Sequence, residues 1–266
     1  MTAVPVEIGR RPVLVDALPS DPRPELLALD AGEQYRFGFS MSACIGCHSC
    51  ERACAGHNGL PEGIVSRRVC QVEGGTFPDT LRLQLSMGCN HCLDPACLTG
   101  CPTNAYEKLD NGVVAHHPDE CIGCQYCTWN CPYSVPVFQP DRRIVTKCDL
   151  CLPRLEDGLE PACAKACPTN SIIFGEVEDL KAIAEERVQE LHDKGYSQAY
   201  VWGTPEVGGT GGIGGNHSKF ILMDEPETYN LPRHPYLPQE KVLGGTMASM
   251  VAGAVLGAVV ALGFRD

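Results

Sequence analysis

The sequence has little positive charge. Its 21 Lys and Arg residues face 33 Asp and Glu residues, which gives a net charge of −12 over 266 residues. Such a balance disfavours a protein whose main partner is a phosphate backbone. Hydrophobic residues, at 44%, and charged residues, at 20%, are close to globular averages and exclude a disordered or collagenous chain. At about 150 residues per domain, the length predicts one large or two small domains.

The first forty residues lack the pattern of an export signal. Arg10 and Arg11 stand near the start, but Pro12 and Asp16 interrupt the apolar stretch that a secretory signal needs. The sequence therefore predicts a surface arm over residues 1–36, which would lie along a partner subunit.

The other end of the chain carries a long uncharged segment, residues 242–264. At 1.5 Å per residue, a helix of this length would cover the roughly 30 Å hydrocarbon core of a bilayer. Lys241 and Arg265 bracket the segment symmetrically and assign no orientation. We expect a C-terminal transmembrane helix, and the alternative is an Ala- and Gly-rich helix buried in a soluble core. Small residues recur along it at every fourth position, which would permit close packing against another membrane helix: Gly245, Ser249, Gly253, Gly257 and Ala261.

Cysteine is the unusual component, with 17 residues, all but one of which fall into four groups of four. Groups one and three share a spacing of two, two and three intervening residues, and group four widens its middle gap. Group one holds Cys44, Cys47, Cys50 and Cys54; group two Cys89, Cys92, Cys97 and Cys101; group three Cys121, Cys124, Cys127 and Cys131; group four Cys148, Cys151, Cys163 and Cys167.

This spacing is typical of 4Fe-4S clusters. A short loop with a thiolate at every third residue can bind three irons of the cube, while the fourth iron needs a distant Cys, which two-cluster ferredoxins supply from their other motif with a Pro after it. Pro102, Pro132 and Pro168 follow the last Cys of groups two, three and four. The sequence therefore predicts four 4Fe-4S clusters.

Two other uses of cysteine fit the pattern less well. Structural zinc binds paired CxxC units but does not require a third Cys followed by Cys-Pro. Disulfides are disfavoured because CxxC pairs in a chain without an export signal indicate metal or redox chemistry. Cys70, outside the groups, is predicted to be a buried thiol.

The remaining pattern indicates an α+β, loop-rich fold. Short strands are expected at residues 112–116 and 171–174, and a hairpin at 64–72 and 80–87 that turns at Gly74 and Gly75. A helix capped by Asp179 would bury Leu180, Ile183, Ala184, Val188 and Leu191. The proline-rich composition of residues 226–238 predicts an extended segment. Gly209, Gly211 and Gly214 form a GxGxxG, but a strand pattern follows it rather than the helix that dinucleotide binding requires.

Four cysteine groups in this order resemble the iron-sulfur (beta) subunits of the complex iron-sulfur molybdoenzyme family, which includes dimethyl sulfoxide reductase, polysulfide reductase, nitrate reductase and membrane-bound formate dehydrogenase. The related subunit of some membrane-bound nickel-iron hydrogenases has the same pattern. The resemblance covers about residues 37–176. It implies two interleaved bacterial-ferredoxin-like modules over residues 37–178, with a hairpin insertion at 55–88 and a helix and extended partner-binding segment at 179–241.

The resemblance also implies the ligand sets, in crossed pairs of groups. Cluster a would take Cys44, Cys47, Cys50 and Cys167; cluster b Cys54, Cys148, Cys151 and Cys163; cluster c Cys89, Cys92, Cys97 and Cys131; and cluster d Cys121, Cys124, Cys127 and Cys101. Nitrate reductase subunits carry a Trp where this chain has Cys124, so the resemblance implies four 4Fe-4S clusters here.

The function implied is that of a non-catalytic electron-transfer subunit of a membrane-bound oxidoreductase. It would relay electrons between a catalytic subunit holding molybdopterin or nickel-iron and an integral membrane subunit that binds haem or quinone, at the prokaryotic cell membrane with a single C-terminal pass. The half built from groups one and four would face the catalytic subunit. The alternative is a free-standing polyferredoxin. Lys147, His48 and His91 each stand beside a ligand and are candidates for tuning the potentials, since a nearby cation favours the reduced cluster.

Overall fold

The computed structural model of the chain describes residues 5–7, 12–14, 35–204, 216–236, 249–256 and 260. Strands and short helices alternate along it and are joined by many loops, so the fold is α+β as predicted. The strands are β1 (Pro5–Glu7), β2 (Pro12–Leu14), β3 (Tyr35–Ser40), β4 (Arg68–Thr76), β5 (Asp79–Met87), β6 (Tyr106–Lys108), β7 (Val114–His116), β8 (Val137–Gln139), β9 (Ile144–Thr146), β10 (Ile172–Glu176), β11 (Tyr200–Trp202) and β12 (Ser218–Leu222).

The α-helices are short except for the last long one. They are α1 (Ser49–His57), α2 (Ala96–Thr99), α3 (Tyr126–Asn130), α4 (Leu152–Glu156), α5 (Ala162–Lys165) and α6 (Val177–Asp193), followed by a C-terminal helical stretch at residues 249–256. Three turns of 3-10 helix add Met41–Ala43, Pro118–Glu120 and Pro226–Tyr229.

The helices that carry cysteines pack in two pairs. Helix α1, from group one, packs on α5, from group four, while α2 and α3, from groups two and three, pack on each other. Small antiparallel pairs, β6 with β7 and β8 with β9, support the second pair. Cysteines far apart in sequence are brought together in this way, as the prediction of interleaved ferredoxin-like modules requires.

A mixed sheet supports the cysteine loops from one side. Its strand order is β10, β3, β12, β11; β3 pairs antiparallel with β10 and parallel with β12. Helix α6 contacts all four strands, and Leu180, Ala184 and Leu191 of its apolar face are buried as the periodicity predicts. The helix begins at Val177, so Asp179 lies in its first turn and does not cap it. An acidic side chain in the first turn is stabilised by the positive end of the helix dipole.

Trp202 on β11 is the largest fully buried side chain among the described residues. Its ring meets Tyr133 edge-on at 5.6 Å between centroids and Phe220 at 5.4 Å. Its Nε1 donates to the carbonyl oxygen of Pro232 at 3.2 Å. Because Tyr133 lies just after Cys131 in the loop that follows group three, Trp202 joins the sheet to the cysteine region.

The predicted hairpin forms, but its turn lies elsewhere. Strands β4 and β5 pair from Arg68 with Met87 to Thr76 with Asp79, so that the chain turns at Phe77 and Pro78. Gly74 and Gly75 pair within the ladder. Glycine permits a turn without requiring one, whereas proline cannot donate to a ladder and favours the turn position.

Two further expectations need correction. Cys70 is exposed rather than buried, because it lies on a hairpin that pairs only β4 with β5 among the described residues. Pro226–Tyr229 forms a 3-10 helix instead of an extended segment. The GxGxxG at 209–214 and most of the arm at 1–36 lie outside the described residues.

The prediction of a C-terminal transmembrane helix, and of a chain held at the cell membrane by a single pass, is wrong. Within the described ranges, no helix is both long enough and apolar enough to cross a bilayer. The helical residues 249–256 would cover only about 12 Å of a hydrocarbon core of roughly 30 Å. The other residues of 242–264, apart from residue 260, lie outside the described part of the chain.

Candidate functional site

Groups one and three fold into the same local turn. Gly46 and Gly123 have φ angles of 66° and 69°, and His48 and Gln125, two residues on, have φ angles of 59° and 65°. A Cβ at Gly123 would lie 2.2 Å from the carbonyl oxygen of Arg143, a backbone atom that cannot yield cheaply. Glycine is therefore required there both for its backbone conformation and for the close approach of another loop.

The structure brings Cys44, Cys47 and Cys50 of group one together with Cys167 of group four. All four line one cavity of about 300 Å³. The amide of Ile172 donates to Sγ of Cys167 at 3.5 Å. This is the set that the family resemblance implies for cluster a.

The second set lies deeper. Cys54, Cys148, Cys151 and Cys163 are all buried. Burial raises the pKa of the Cys54 thiol, and the neighbouring sulfurs of Cys148, Cys163 and Cys151 raise that pKa further. The four side chains therefore lie close enough together for their sulfurs to interact electrostatically.

The third set lines a second cavity. Cys89, Cys92, Cys97 and Cys131 line a volume of about 380 Å³. Burial raises the pKa of the Cys92 thiol, with further contributions from the other three cysteines of the set. The cavity also touches Asn90, whose buried side-chain amide has no hydrogen-bond partner among the described residues.

The fourth set consists of Cys101, Cys121, Cys124 and Cys127. Burial raises the pKa of the Cys127 thiol, the nearby Tyr106 hydroxyl lowers it, and the sulfurs of Cys121, Cys124 and Cys101 raise it further. The amide of Val145 donates to Sγ of Cys121 at 3.5 Å.

Electrostatic interactions between sulfurs connect the four sets in a row, in the order first, second, third and fourth. Cys50 of the first set interacts electrostatically with Cys163 of the second. Cys148 of the second interacts with Cys89 of the third, and Cys97 of the third with Cys127 of the fourth. Each neighbouring pair of sets is thus linked by at least one pair of interacting sulfurs.

The donor chemistry of these sets fits iron-sulfur clusters. Burial raises the pKa of the Cys97 and Cys151 thiols to about 12, so a bound metal must displace their protons at neutral pH. Backbone amides of His91 and Leu150 donate to Sγ of Cys89 and Cys148 at 3.4 Å and so favour the thiolate.

The described residues contain no group of three or more His, Cys, Asp or Glu side chains arranged to hold a single metal ion. The sulfurs of a cubane cluster each bind a different iron and are therefore held farther apart than the ligands of one ion.

Lys147, a predicted tuning residue, is buried between two cysteine sets. Its Nζ donates to the carbonyl oxygen of Cys148 at 2.9 Å and to that of Val114. Burial lowers the pKa of the ammonium group, but the sulfurs of Cys89, Cys97 and Cys148 raise it, and the net pKa is raised. Lys147 is therefore a charged group inside the molecule.

The two predicted histidines differ. Burial, and then the nearby Lys147, hold the pKa of His91 well below its usual range. Its ring is therefore neutral, and its Nδ1 accepts a hydrogen bond from the amide of Val114 at 3.1 Å. His48 is at the surface, where Nδ1 lies 2.8 Å from a carboxylate oxygen of Glu51.

Arg67 is not identified by the sequence pattern. It is 4% exposed and lies just before β4. Burial lowers the pKa of its guanidinium, and the sulfurs of Cys163, Cys148, Cys50 and Cys54 raise it by more. It stands beside no ligand in the sequence, so no local signal could have identified it.

The loop before β12 also escapes the sequence pattern. The amides of His217 and Ser218 both donate to the carbonyl oxygen of Asn90, at 2.9 and 3.3 Å. The side chain of His217 reaches the carbonyl oxygen of Gly112 at 2.9 Å. This loop therefore holds group two in place from outside the cysteine region.

Comparisons with known proteins agree with this geometry. The family model described as a 4Fe-4S dicluster domain matches residues 82–177. The chain is 35% identical over 240 residues to the formate dehydrogenase iron-sulfur subunit of Haemophilus influenzae, and the match covers 82% of this chain and 75% of that one.

Two other relatives match less of the chain. A sulfite dehydrogenase subunit of Allochromatium vinosum is 36% identical over 62% of this chain and 78% of its own. A probable anaerobic dimethyl sulfoxide reductase chain, YnfG, of Escherichia coli is 37% identical over 56% of this chain and 76% of its own.

Proposed function

Because the chain belongs to the family of iron-sulfur (beta) subunits of the complex iron-sulfur molybdoenzymes, we propose that it relays electrons between a catalytic subunit and an integral membrane subunit that binds haem or quinone. When bound, four 4Fe-4S clusters supply one-electron transfer along the row. The observation that carries the proposal is the row itself, in which Cys163, Cys89 and Cys127 each interact with a sulfur of the preceding set.

The ligand sets are those of the crossed pairing. Cluster a is held by Cys44, Cys47, Cys50 and Cys167; cluster b by Cys54, Cys148, Cys151 and Cys163; cluster c by Cys89, Cys92, Cys97 and Cys131; cluster d by Cys121, Cys124, Cys127 and Cys101. Support comes from the two cavities, which are lined by the complete first and third sets, and from the mutual electrostatic influence within the second and fourth sets.

The chain's own residues hold the clusters, exclude water and set the electrostatic environment. Lys147 provides buried positive charge, and the amides of His91 and Leu150 donate to ligand sulfurs. Hydrogen bonds and nearby charge are the means by which a protein sets cluster potentials. In this proposal the chain transfers electrons and does not itself convert a substrate.

We propose that the catalytic partner is a molybdopterin subunit of the formate dehydrogenase type. The match to the formate dehydrogenase subunit covers 82% of this chain, against 62% and 56% for the sulfite dehydrogenase and dimethyl sulfoxide reductase chains. By the family resemblance, the end built from groups one and four faces this partner.

Crossed ligation is tested by pairs of substitutions. Cys131→Ser and Cys92→Ser should alter the same signal in the electron paramagnetic resonance (EPR) spectrum of the reduced protein, and Cys127→Ser should alter another. If Cys131→Ser altered the signal that Cys127→Ser alters, each group would supply its own cluster and the crossed assignment would be wrong.

The partners are tested by anaerobic purification of the tagged chain from its own host after detergent solubilisation. We expect a large subunit that contains molybdenum and a haem- or quinone-binding membrane subunit, and we expect added formate to reduce the EPR-active clusters. A chain that purified alone and monodisperse without detergent would instead be a free-standing polyferredoxin.

A further inference from the structure

Arg67 is buried in a site built to hold a guanidinium group. It is 4% exposed, and its neighbour Ser66 is 6% exposed. Nη1 donates to Oγ of Ser86 at 3.1 Å and to the carbonyl oxygen of the same residue at 3.4 Å. The guanidinium group lies against Gly88, and a Cβ at Gly88 would come within 2.9 Å of Nη2. Its position is therefore fixed from two sides.

The site places Arg67 between two cysteine sets. Cys163, Cys148 and Cys54 belong to the second set, and the guanidinium interacts electrostatically with the sulfurs of all three. On the other side, Oγ of Ser86 lies 3.5 Å from Sγ of Cys50, a member of the first set. One cation thus faces sulfurs of both sets.

Burial makes this charge effective. A charge in water is screened within about 8 to 10 Å at ordinary ionic strength, whereas a buried charge is screened much less. Reduction of a cluster adds one electron, supplied in a titration by dithionite, and so adds one negative charge beside the guanidinium. A fixed positive charge at that place stabilises the reduced form more than the oxidised form.

We propose that Arg67 raises the reduction potentials of clusters a and b together, and that Ser86 and Gly88 hold it where it acts on both. This inference rests on the proposed ligand sets. It concerns a residue of the hairpin insertion that supplies no ligand. Its role is electrostatic rather than catalytic, since the guanidinium group transfers neither electron nor proton.

The test is a redox titration of the anaerobically purified protein, followed by EPR, with wild type and Arg67→Met compared. We expect two of the four midpoint potentials to fall, each by at least the equivalent of a tenfold change in the reduction equilibrium, about 59 mV for one electron. The other two should keep their values. Arg67→Lys, which keeps the charge, should recover most of the shift.

Arg82→Met is the matched control, because Arg82 is an exposed arginine on the same hairpin, paired with Glu73 at 3.5 Å. It should leave all four potentials unchanged. Potentials that stay unchanged in Arg67→Met, or that shift equally in Arg82→Met, would overturn the inference while leaving the proposed function intact. A wild-type protein with fewer than four reducible clusters would instead refute the ligand sets.

If Arg67→Met does not retain its clusters, the same redox titration of Ser86→Ala tests the inference. It keeps the cation and removes the hydroxyl that holds it, so the same two potentials should fall by less. Unchanged potentials in a fully loaded Ser86→Ala protein would overturn the inference.

Discussion

Oγ of Ser218 donates a hydrogen bond to the carbonyl oxygen of Cys89 at 3.1 Å, across 129 positions of the chain. Both residues are buried. Strand β12, to which Ser218 belongs, also pairs with β3, which leads into group one. One strand from the C-terminal part of the chain therefore contacts group two directly and pairs with the strand that leads into group one.

Ser218→Ala should loosen group two. The substitution leaves the buried carbonyl oxygen of Cys89 without this donor, at a cost of about 1 kcal/mol. We expect cluster loss on warming, followed by visible absorbance, to be roughly fivefold faster. Ser197→Ala, at an exposed serine, should keep the wild-type rate, and equal rates in the two variants would show that the contact does not contribute.

The two tryptophans of the chain provide a matched pair. Trp202 is fully buried, whereas Trp129 is 74% exposed. Trp202→Ala should destabilise the protein by about 3 to 5 kcal/mol, as a large core deletion does, and lower the melting temperature accordingly. Trp129→Ala should change stability by no more than about 0.5 kcal/mol. Similar melting temperatures for the two variants would contradict the packing of Trp202 described above.

Substitutions at Gly123 and Gly158 distinguish backbone strain from a steric clash of the added Cβ. Both have a φ of 69°, but a Cβ at Gly158 meets nothing within 4 Å, whereas one at Gly123 would lie 2.2 Å from a backbone oxygen. Gly158→Ala should cost only the backbone strain, about 1 kcal/mol, and keep its iron. Gly123→Ala should displace the group three loop and lose roughly a quarter of the iron, measured by metal analysis.

Lys147 should act on clusters b and c. Its ammonium group lies close to Cys148 of the second set and to Cys89 and Cys97 of the third. Lys147→Met should lower two midpoint potentials, each by at least the equivalent of a tenfold change in the reduction equilibrium, about 59 mV for one electron. Redox titration followed by EPR measures this.

Lys147→Arg should restore the potentials, and Lys165→Met, at a side chain that is 69% exposed, should leave them unchanged. Because Arg67 faces clusters a and b, cluster b should respond to both buried cations. A cluster b that responded to neither would contradict the placement of the second cysteine set between them.

The local parts of the site could be predicted from the sequence, because they depend on neighbouring residues. The turn around Gly46 and Gly123 follows from the spacing of groups one and three, and the buried face of α6 follows from its periodicity. Arg67 and Ser218 could not be found in this way. Each acts on cysteines brought near only by tertiary packing, and neither stands beside a ligand in the sequence.

Some errors come from using a local rule where tertiary structure decides. Gly74 and Gly75 have the composition of a turn, but they pair with Leu81 and Thr80 in the ladder. The preference of free cysteine for burial predicts an interior position for Cys70, and the hairpin exposes it. In both cases the pairing of β4 with β5 overrides the tendency of the single residue.

The central claim, that sixteen grouped cysteines hold four 4Fe-4S clusters, is tested most directly by metal and sulfide analysis of the anaerobically isolated protein. We predict about sixteen irons and about as many labile sulfides per chain, with the same values in Cys70→Ser, which changes the one cysteine outside the groups. Zinc in place of iron, or about eight irons or fewer in a fully folded chain, would contradict it.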